Sequence, residues 1–389
     1  MWKSGLSCLA PLGVCLSVPA VANDEPSARG FEVSGDYTAD AILISDKGAK
    51  DKAYGLDNLN LQVDVDLGRV AGWQGAQVHV HFLNNLGGMP NNRAGTLQGV
   101  DNIEVATQRF RVFEAWIEQS IGPRTTLRAG LYDLNSEFYA NDAAGLLLAP
   151  AFGVGSEISA TGPNGPSIFP SSALAARVEH RFGRDGFMRV GVLNANARTL
   201  GDPGGVDFDF DEGLLLIAET GVEASFKATA GVWTYTRDQD EVVTPSGDGP
   251  LRRSAAQGAY AIFEHPIANR DQDNEVTGFV RVGVSDGHTT VFRGGWQAGV
   301  LFEAPFPGRP LGALSIGANQ AFVSHAYRDA LAATGIPPAS AETQLEVTYT
   351  DVIFGRIGIQ PDMQIIVDAG GERNRPLVIV SGLRFTFEF

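Results

Sequence analysis

The sequence predicts an all-β fold, a closed transmembrane antiparallel β-barrel of about 16 strands with one loop folded inward. Three observations lead there. Segments of alternating apolar and polar residues recur along the whole chain, the period of a strand with one greasy face and one wet face. The connections between them fall alternately into a mostly short and a mostly long class. The last segment, LRFTFEF at 383–389, sets Leu383, Phe385, Phe387 and Phe389 in one apolar row, and an acidic chain of net charge −16 gains nothing by leaving that row in water.

The elements follow in order. The opening MWKSGLSCLAPLGVCLSVPAVAND has a lone Lys3, an apolar run of roughly a dozen residues and then Ala20-Val21-Ala22, the build of a secretory signal peptide. Residues 1–22 are therefore expected to be removed near Ala22, leaving 23–389 as one barrel domain. A lipoprotein signal is the rival reading, but Cys8 and Cys15 both lie inside the apolar run without the small-residue pattern such a site needs. Both cysteines leave with the signal, so stability must come from a large core or a closed sheet rather than from disulfides.

Candidate strands are expected at 31–44, 57–68, 77–84, 110–120, 125–133, 174–183, 186–196, 213–223, 225–236, 256–264, 276–285, 294–303, 311–322, 342–350, 354–366 and 376–389. LNLQVDVDL sets Leu59, Leu61, Val63, Val65 and Leu67 against Asn60, Gln62, Asp64 and Asp66. QVHVHF sets Val78, Val80 and Phe82 against Gln77, His79 and His81. LRAGL, LAARVEHRF, FKATAGVWTYT, FVRVGV, WQAGVLF, TQLEVTYT, GRIGIQ and LVIVSGLRFTFEF repeat the grammar. Each alone also suits a sandwich. Their connections decide the matter. GRVAGWQGA, IGPRTT, RFGRDG, the stretch at Ala224, EAPFPGRP and DVIFG are short, whereas 85–109, 134–173, 197–212, 237–255 and 323–341 are long. A sandwich has no reason to sort loops by parity; an outer-membrane barrel does, with tight periplasmic turns and long external loops. Closure leaves no unpaired edge in lipid, and an even strand number returns both termini to the periplasmic side. No apolar run after the signal approaches the 18 or so residues of a spanning helix; GLLLIA at 213–218 is far too short. The acidic balance also argues against nucleic acid as a partner. The expected partners are outer-membrane lipid on the apolar faces and the outer-membrane assembly machinery, which reads a closing strand ending on a Phe such as Phe389.

FRVFEAWIEQ (110–119), AGLYDLNSEFYAND (129–142), FEHPI (263–267), TQLEVTYTDVIFGRIGIQPDMQII (343–366) and SGLRFTFEF (381–389) resemble the carbohydrate-selective outer-membrane porins of the OprB type. The likeness runs from about residue 31 to Phe389, with LYDLNSEF and IQPDMQ its more specific stretches. It implies a 16-stranded barrel and passive diffusion of small sugars, glucose-like ones especially, with no cofactor. Two departures are visible: Phe113 stands where the family more often has Tyr, and several external loops are short. The resemblance also favours an Arg-lined constriction.

A barrel of 16 strands encloses an aqueous channel, so a sugar filter needs something to narrow it. The longest connection, 134–173, is expected to fold inward, its LNSEFYANDAAGLLLAPAFG stretch laying a short helix with an apolar patch on the inner wall; 85–109 is second. If Phe113, Ala115 and Ile117 face lipid, Glu114, Trp116 and Glu118 face the lumen, and Arg128 joins them from the next strand. Arg177, Glu179 and Arg181 share one face, as do Arg189, Arg281 and Glu346 on theirs. Tyr132, Glu137, Arg109 and Arg111 complete the candidate sugar-binding set, with Trp116 and Tyr132 as rings for stacking on pyranose faces. Arg outnumbers Lys 24 to 5, and a planar, always-charged fork suits hydroxyl recognition. Read plainly, the same residues are ordinary charges solvating a wide pore. Arg111 and Arg109 break the alternation, and a lipid-facing Arg would cost about 2–4 kcal/mol at the midplane. A bulge or a position above the membrane band is expected.

Two other function classes share parts of this pattern. A general diffusion porin would ignore solute chemistry at fixed size. A barrel enzyme would need a site, and there is no nucleophile elbow, H-E-x-x-H, C-x-x-C or phosphate loop. His79 and His81 face inward toward Asp64 and Asp66 if those strands pair, a pattern more often lumen lining than a metal site, so no catalytic or metal residue is expected. DFDFDEG (207–213) has acidic spacing for loose Ca²⁺ binding but lacks the rest of an EF-hand. A homo-oligomer is compatible with the pattern, which marks no strands as its interface.

Overall fold

The computed structural model describes residues 30–46, 50–242, 253–270 and 272–389; the expected signal peptide and cleavage site lie outside them. The chain forms sixteen barrel strands, β1 Phe31–Asp46, β2 Lys52–Asp66, β3 Ala76–Gly87, β4 Phe110–Ile121, β5 Thr125–Tyr132, β6 Ala173–Phe182, β7 Gly186–Asn194, β8 Leu214–Glu223, β9 Lys227–Tyr235, β10 Gln257–Ala268, β11 Val276–Ser285, β12 Phe292–Glu303, β13 Ala313–Val323, β14 Ala341–Ile353, β15 Ile357–Val367 and β16 Val378–Glu388. Each pairs antiparallel with its sequence neighbours, and β1 pairs with β16, from Asp36↔Glu388 to Asp46↔Val378, to close the ring. Gly35 and Phe389 extend that seam with a reciprocal pair of backbone hydrogen bonds of 3.0 and 2.9 Å. The LRFTFEF row is thus the last stave of the barrel.

Alternation separates the two faces. Val178, Val190, Val232, Val280, Val282, Val284, Leu345, Val347 and Met363 are exposed on the outside, as lipid requires. Their neighbours Arg177, Arg189, Arg281, Gln297, Gln344, Glu346 and Gln364 are buried on the inside. The inner polar groups satisfy one another: Asn319 donates to Gln344 (3.1 Å) and Gln344 to Gln364 (2.9 Å), a ladder across β13, β14 and β15. Large rings (Trp73, Phe226, Phe306 and Phe354) stand exposed in the turns at one end, a partial aromatic girdle. Among the described residues no helix is long and apolar enough to cross a membrane.

Two elements run past their expected limits by four residues or more. β2 starts at Lys52, not 57, because Lys52–Gly55 pair with Ile44–Ala41 of β1 and their polar character only reflects their place near the loop end. β10 runs on through Pro266, which sits beside a register shift between Pro266 and Ala268, where a missing N–H is tolerated.

The interior at the loop end is not open water. Residues 133–172 pack across the inner wall with Leu134, Phe138, Tyr139 and Ile158 fully buried against Leu193, Leu215, Ile217, Trp233, Tyr260 and Ile262. Burying each such side chain is worth about 1.5–3 kcal/mol. Residues 88–109 build a second core, Ala94, Val100 and Ile103 against Ile42, Ile44, Leu56, Ile366 and Val380.

Candidate functional site

β4 sets the geometry through one extra residue. His81 pairs with Glu114 and Phe82 with Val112, so Phe113 is a bulge with no partner of its own. The bulge resets the alternation, and Arg111 and Glu114 both point inward. Phe113 itself does not face lipid, contrary to the strict-alternation expectation. Its ring is 4 % exposed and meets His81 and Phe169 edge-on at 5.3 and 6.2 Å. Arg111 is buried at the loop end of the lumen, donating to the Pro170 carbonyl (2.8 Å), Ser171 Oγ (3.1 Å) and the Thr107 carbonyl (2.8 Å). Asp202 lies 3.8 Å from Arg111 and 3.7 Å from Arg109. These two arginines therefore fasten loops together and are not part of the charged cluster below.

That cluster is assembled from four adjacent strands and the start of the long loop. Arg128 on β5 donates from Nε to Glu118 Oε2 (3.0 Å), and its guanidinium lies 3.7 Å from the centre of the Trp116 ring. Arg177 on β6 bonds Glu118 Oε2 at 2.7 Å and grips both carboxylate oxygens of Glu137. Arg189 on β7 donates to the Glu137 carbonyl and forms ion pairs with Glu179 (3.2 Å) and Glu219 (3.4 Å). Burial alone would raise the Glu137 carboxyl; the guanidiniums of Arg128, Arg177 and Arg189 outweigh it and hold it down at about 2.

Of the eight residues expected to bind sugar, Trp116, Glu118, Arg128 and Glu137 line one cavity of about 840 Å³ at the turn end of the lumen. Arg177, Arg189, Glu179, Lys227 and Glu264 line it too. Tyr132 does not. Its ring is 1 % exposed, so it offers no stacking face, and its hydroxyl is spent on Glu137. Trp116 is covered by Arg128 and by a stacked His79 ring at 4.9 Å, which leaves it lining the wall rather than platforming a sugar. Glu114 supports the wall, accepting from Trp116 Nε1 (3.3 Å) and the Asp133 N–H (3.0 Å). Sequence reasoning placed Arg177 and Arg189 inward but did not join them to Glu137; the strand registers Arg128↔Arg177 and Glu179↔Arg189 were the missing link.

The long loop roofs this cavity. It holds four separate short turns, Leu134–Ser136, Asp142–Ala144, Pro150–Phe152 and Ser156–Ser159, where one short helix was expected. Inward-facing side chains of the wall catch its backbone. Arg281, fully buried, donates to the carbonyls of Ala151 (3.0 Å), Phe152 (2.7 Å) and Gly153 (3.0 Å). Glu346 accepts from Leu148 and Ala149, Glu264 from Ala143 (2.6 Å), Glu219 from Tyr139 (3.0 Å). Close approach needs glycine on the wall: a Cβ on Gly317 would stand 2.6 Å from Leu147 Cδ1 and 2.7 Å from Phe152 Cζ.

Two sequence candidates for other chemistry resolve differently. In the acidic 207–213 loop, Asp207 is committed to Arg198 (3.3 Å), Asn196 Nδ2 (2.8 Å) and the Asp209 N–H (3.0 Å), bonds that hold its carboxylate below its ordinary range against a burial effect that raises it. Asp66 lies away from the histidines, capping the turn Leu67–Ala71. Among the described residues, one group has the ligand types for a metal: His79, His81 and Glu114, with one donor atom each within 4.8 Å of the others.

The comparisons with known proteins agree with this architecture. Porin B of Pseudomonas aeruginosa is 21% identical over 404 residues, covering 93% of this chain and 88% of that protein. The high-pH structure of Pseudomonas putida OprB superposes with a TM-score of 0.81 at 19% identity, covering 93% of this chain and 94% of that one. The outer-membrane channel DcaP of Acinetobacter baumannii shares the barrel more distantly, at a TM-score of 0.55 and 10% identity over 92% of this chain and 97% of that one. The model of the carbohydrate-selective porin family OprB matches residues 50–389, nearly all of the barrel. The chain belongs to the OprB family of carbohydrate-selective porins.

Proposed function

We propose that sugars of glucose's size are selected at the cluster of Arg128, Arg177, Arg189, Glu118, Glu137 and Glu179 as they pass through the lumen. Membership of the carbohydrate-selective porin family supports a channel of the outer membrane over an enzyme. One observation carries the filter: three guanidiniums face three carboxylates around the cavity, each fixed by ion pairs of 2.7–3.2 Å or by the tighter Arg177–Glu137 grip. The ring offers both donors and acceptors at no net charge. Sugar hydroxyls also donate and accept, so such a ring suits a polyol. Prior fixation means that little side-chain entropy is lost when a sugar docks. Loop 133–172 serves as the constriction, because its docking on the inner wall narrows the way to the cluster.

The turn end faces the periplasm and the loop end the exterior. Residues 1–22 direct export and are removed near Ala22, so 23–389 form the mature barrel. The assembly machinery takes the strand that ends on Phe389.

The test is uptake into liposomes of glucose, larger disaccharides and an amino acid of glucose's size. Glucose should enter clearly faster than the size-matched amino acid, and Arg128→Ala should shrink the difference. Equal entry at equal size would demote the protein to a general diffusion pore.

A further inference from the structure

We propose that His79, His81 and Glu114 form a binding site for a divalent first-row transition ion, Zn²⁺ in the first instance, on the lumen wall. Alternation along β3 puts both imidazoles on one face, and the bulge at Phe113 sets Glu114 opposite His81 and diagonal to His79. Glu114 Oε2 lies 3.9 Å from His79 Nε2 and 3.9 Å from His81 Nδ1.

The hydrogen bonds around the group determine what those three atoms carry. His79 Nδ1 lies 2.8 Å from Asp64 Oδ1, so with a neutral ring the proton sits on Nδ1 and the lone pair on Nε2 faces Glu114. His81 Nε2 lies 2.9 Å from Asn60 Oδ1. The Asn60 amide is oriented independently, because its Nδ2 donates to Asp36 (3.0 Å). His81 therefore holds its proton on Nε2, and its Nδ1 lone pair also faces Glu114. Glu114 Oε1 is occupied by the N–H groups of Trp116 and Asp133, which leaves Oε2 for the two imidazoles. With both rings neutral, two nitrogen lone pairs and a carboxylate oxygen converge with no hydrogen among them, the donor set of a bound cation.

Two imidazoles and one carboxylate are a ligand set that Zn²⁺ accepts, at about 2.0–2.2 Å with room for a fourth ligand from solvent. Tetrahedral donors then stand about 3.3–3.5 Å apart by the same bond lengths, so side-chain rotations must close the two 3.9 Å gaps to Glu114 and a separation between the imidazoles of no more than 4.8 Å. The outer partners match as well: Asp64 and Asn60 fix tautomer and ring orientation in the way metal-bound histidines are ordinarily supported. All three ligands are largely buried, with side-chain exposures of 5, 11 and 10 %, so their positions are held before an ion arrives.

The test is calorimetric titration of Zn²⁺ into the full barrel in detergent, stripped with EDTA and purified without a polyhistidine tag. Visible absorption of bound Co²⁺ reports the ligand environment. One saturable equivalent is expected, lost in the His79→Ala/His81→Ala double variant and in Glu114→Gln, and weakened about 10- to 100-fold in Asp64→Ala. His265→Ala, remote from the group, should bind as the parent does. Heat-modifiable gel mobility confirms that each variant is folded. No saturable equivalent in a folded parent, or an equivalent that survives the double variant, overturns the proposal.

Discussion

Replacing Arg128 by alanine separates what its charge does for stability from what it does for passage. The guanidinium makes two contacts of 3.0 Å with Glu118 Oε2, approaches Glu137 at 3.6 Å and lies on Trp116 at 3.7 Å. A charge-assisted hydrogen bond contributes about 1.5–3 kcal/mol and the stacked cation roughly 1 more. Stripping a buried carboxylate of its only partner costs about 3–5 kcal/mol, but Glu118 and Glu137 both keep Arg177. Arg128→Ala should therefore cost about 2–4 kcal/mol and still fold. Denaturant unfolding followed by tryptophan fluorescence measures this. In liposomes, losing one charged hydrogen-bond donor to the sugar should reduce the glucose advantage over a size-matched amino acid by up to about tenfold. Arg128→Lys, which keeps the charge but not the planar fork, should fall between the two. An Arg128→Ala barrel that is destabilised yet keeps the full glucose advantage would refute the filter while leaving the packing account intact.

Other consequences can be checked in the same preparations. Gly317→Val places a side chain where Leu147 and Phe152 already stand, so loop 133–172 should lift from the wall at a cost of about 1–3 kcal/mol, and single-channel conductance should rise; unchanged conductance would mean that the loop does not limit the pore. Glu137, held at about 2 against an ordinary value near 4.3, contributes on the order of 3 kcal/mol that is fully present above the unfolded value and is lost as pH falls toward 2. Unfolding midpoints should accordingly be flat from pH 5 to 8 and drop below pH 4, a drop that Glu137→Gln should lessen. Arg384 forks onto Asp40 at 2.6–3.2 Å across the closing seam and lies 3.6 Å from Asp101. Arg384→Met strands those carboxylates and should cost about 3–5 kcal/mol, read as a lower melting temperature of the folded band on gels.

Membership of an OprB-type sugar porin was already legible in motif stretches such as LYDLNSEF and IQPDMQ. What the chain's own pattern carried was local: a period of two decides which side chains share a face, and the parity of loop lengths decides that the sheet closes. Those rules delivered all sixteen strands and turned Glu118, Arg128, Arg177 and Arg189 inward, because backbone pleating depends on nothing distant. They could not join Arg177 to Glu137, forty residues away on the returning loop, since strand register and loop docking come from contacts across the barrel. They could not see that Tyr132 is sealed beneath its own loop, or that Arg111 and Arg109 fasten loops through Asp202. The bulge at Phe113 shows the division most directly. One extra residue turns Arg111 to the same side as Glu114 and takes Phe113 off the lipid face, and only pairing with β3 reveals where it lies. Alternation already pointed His79, His81 and Glu114 into the lumen, but only the register of β3 against β4, set by that bulge, places Glu114 opposite His81 and lets the three metal-ligating groups meet.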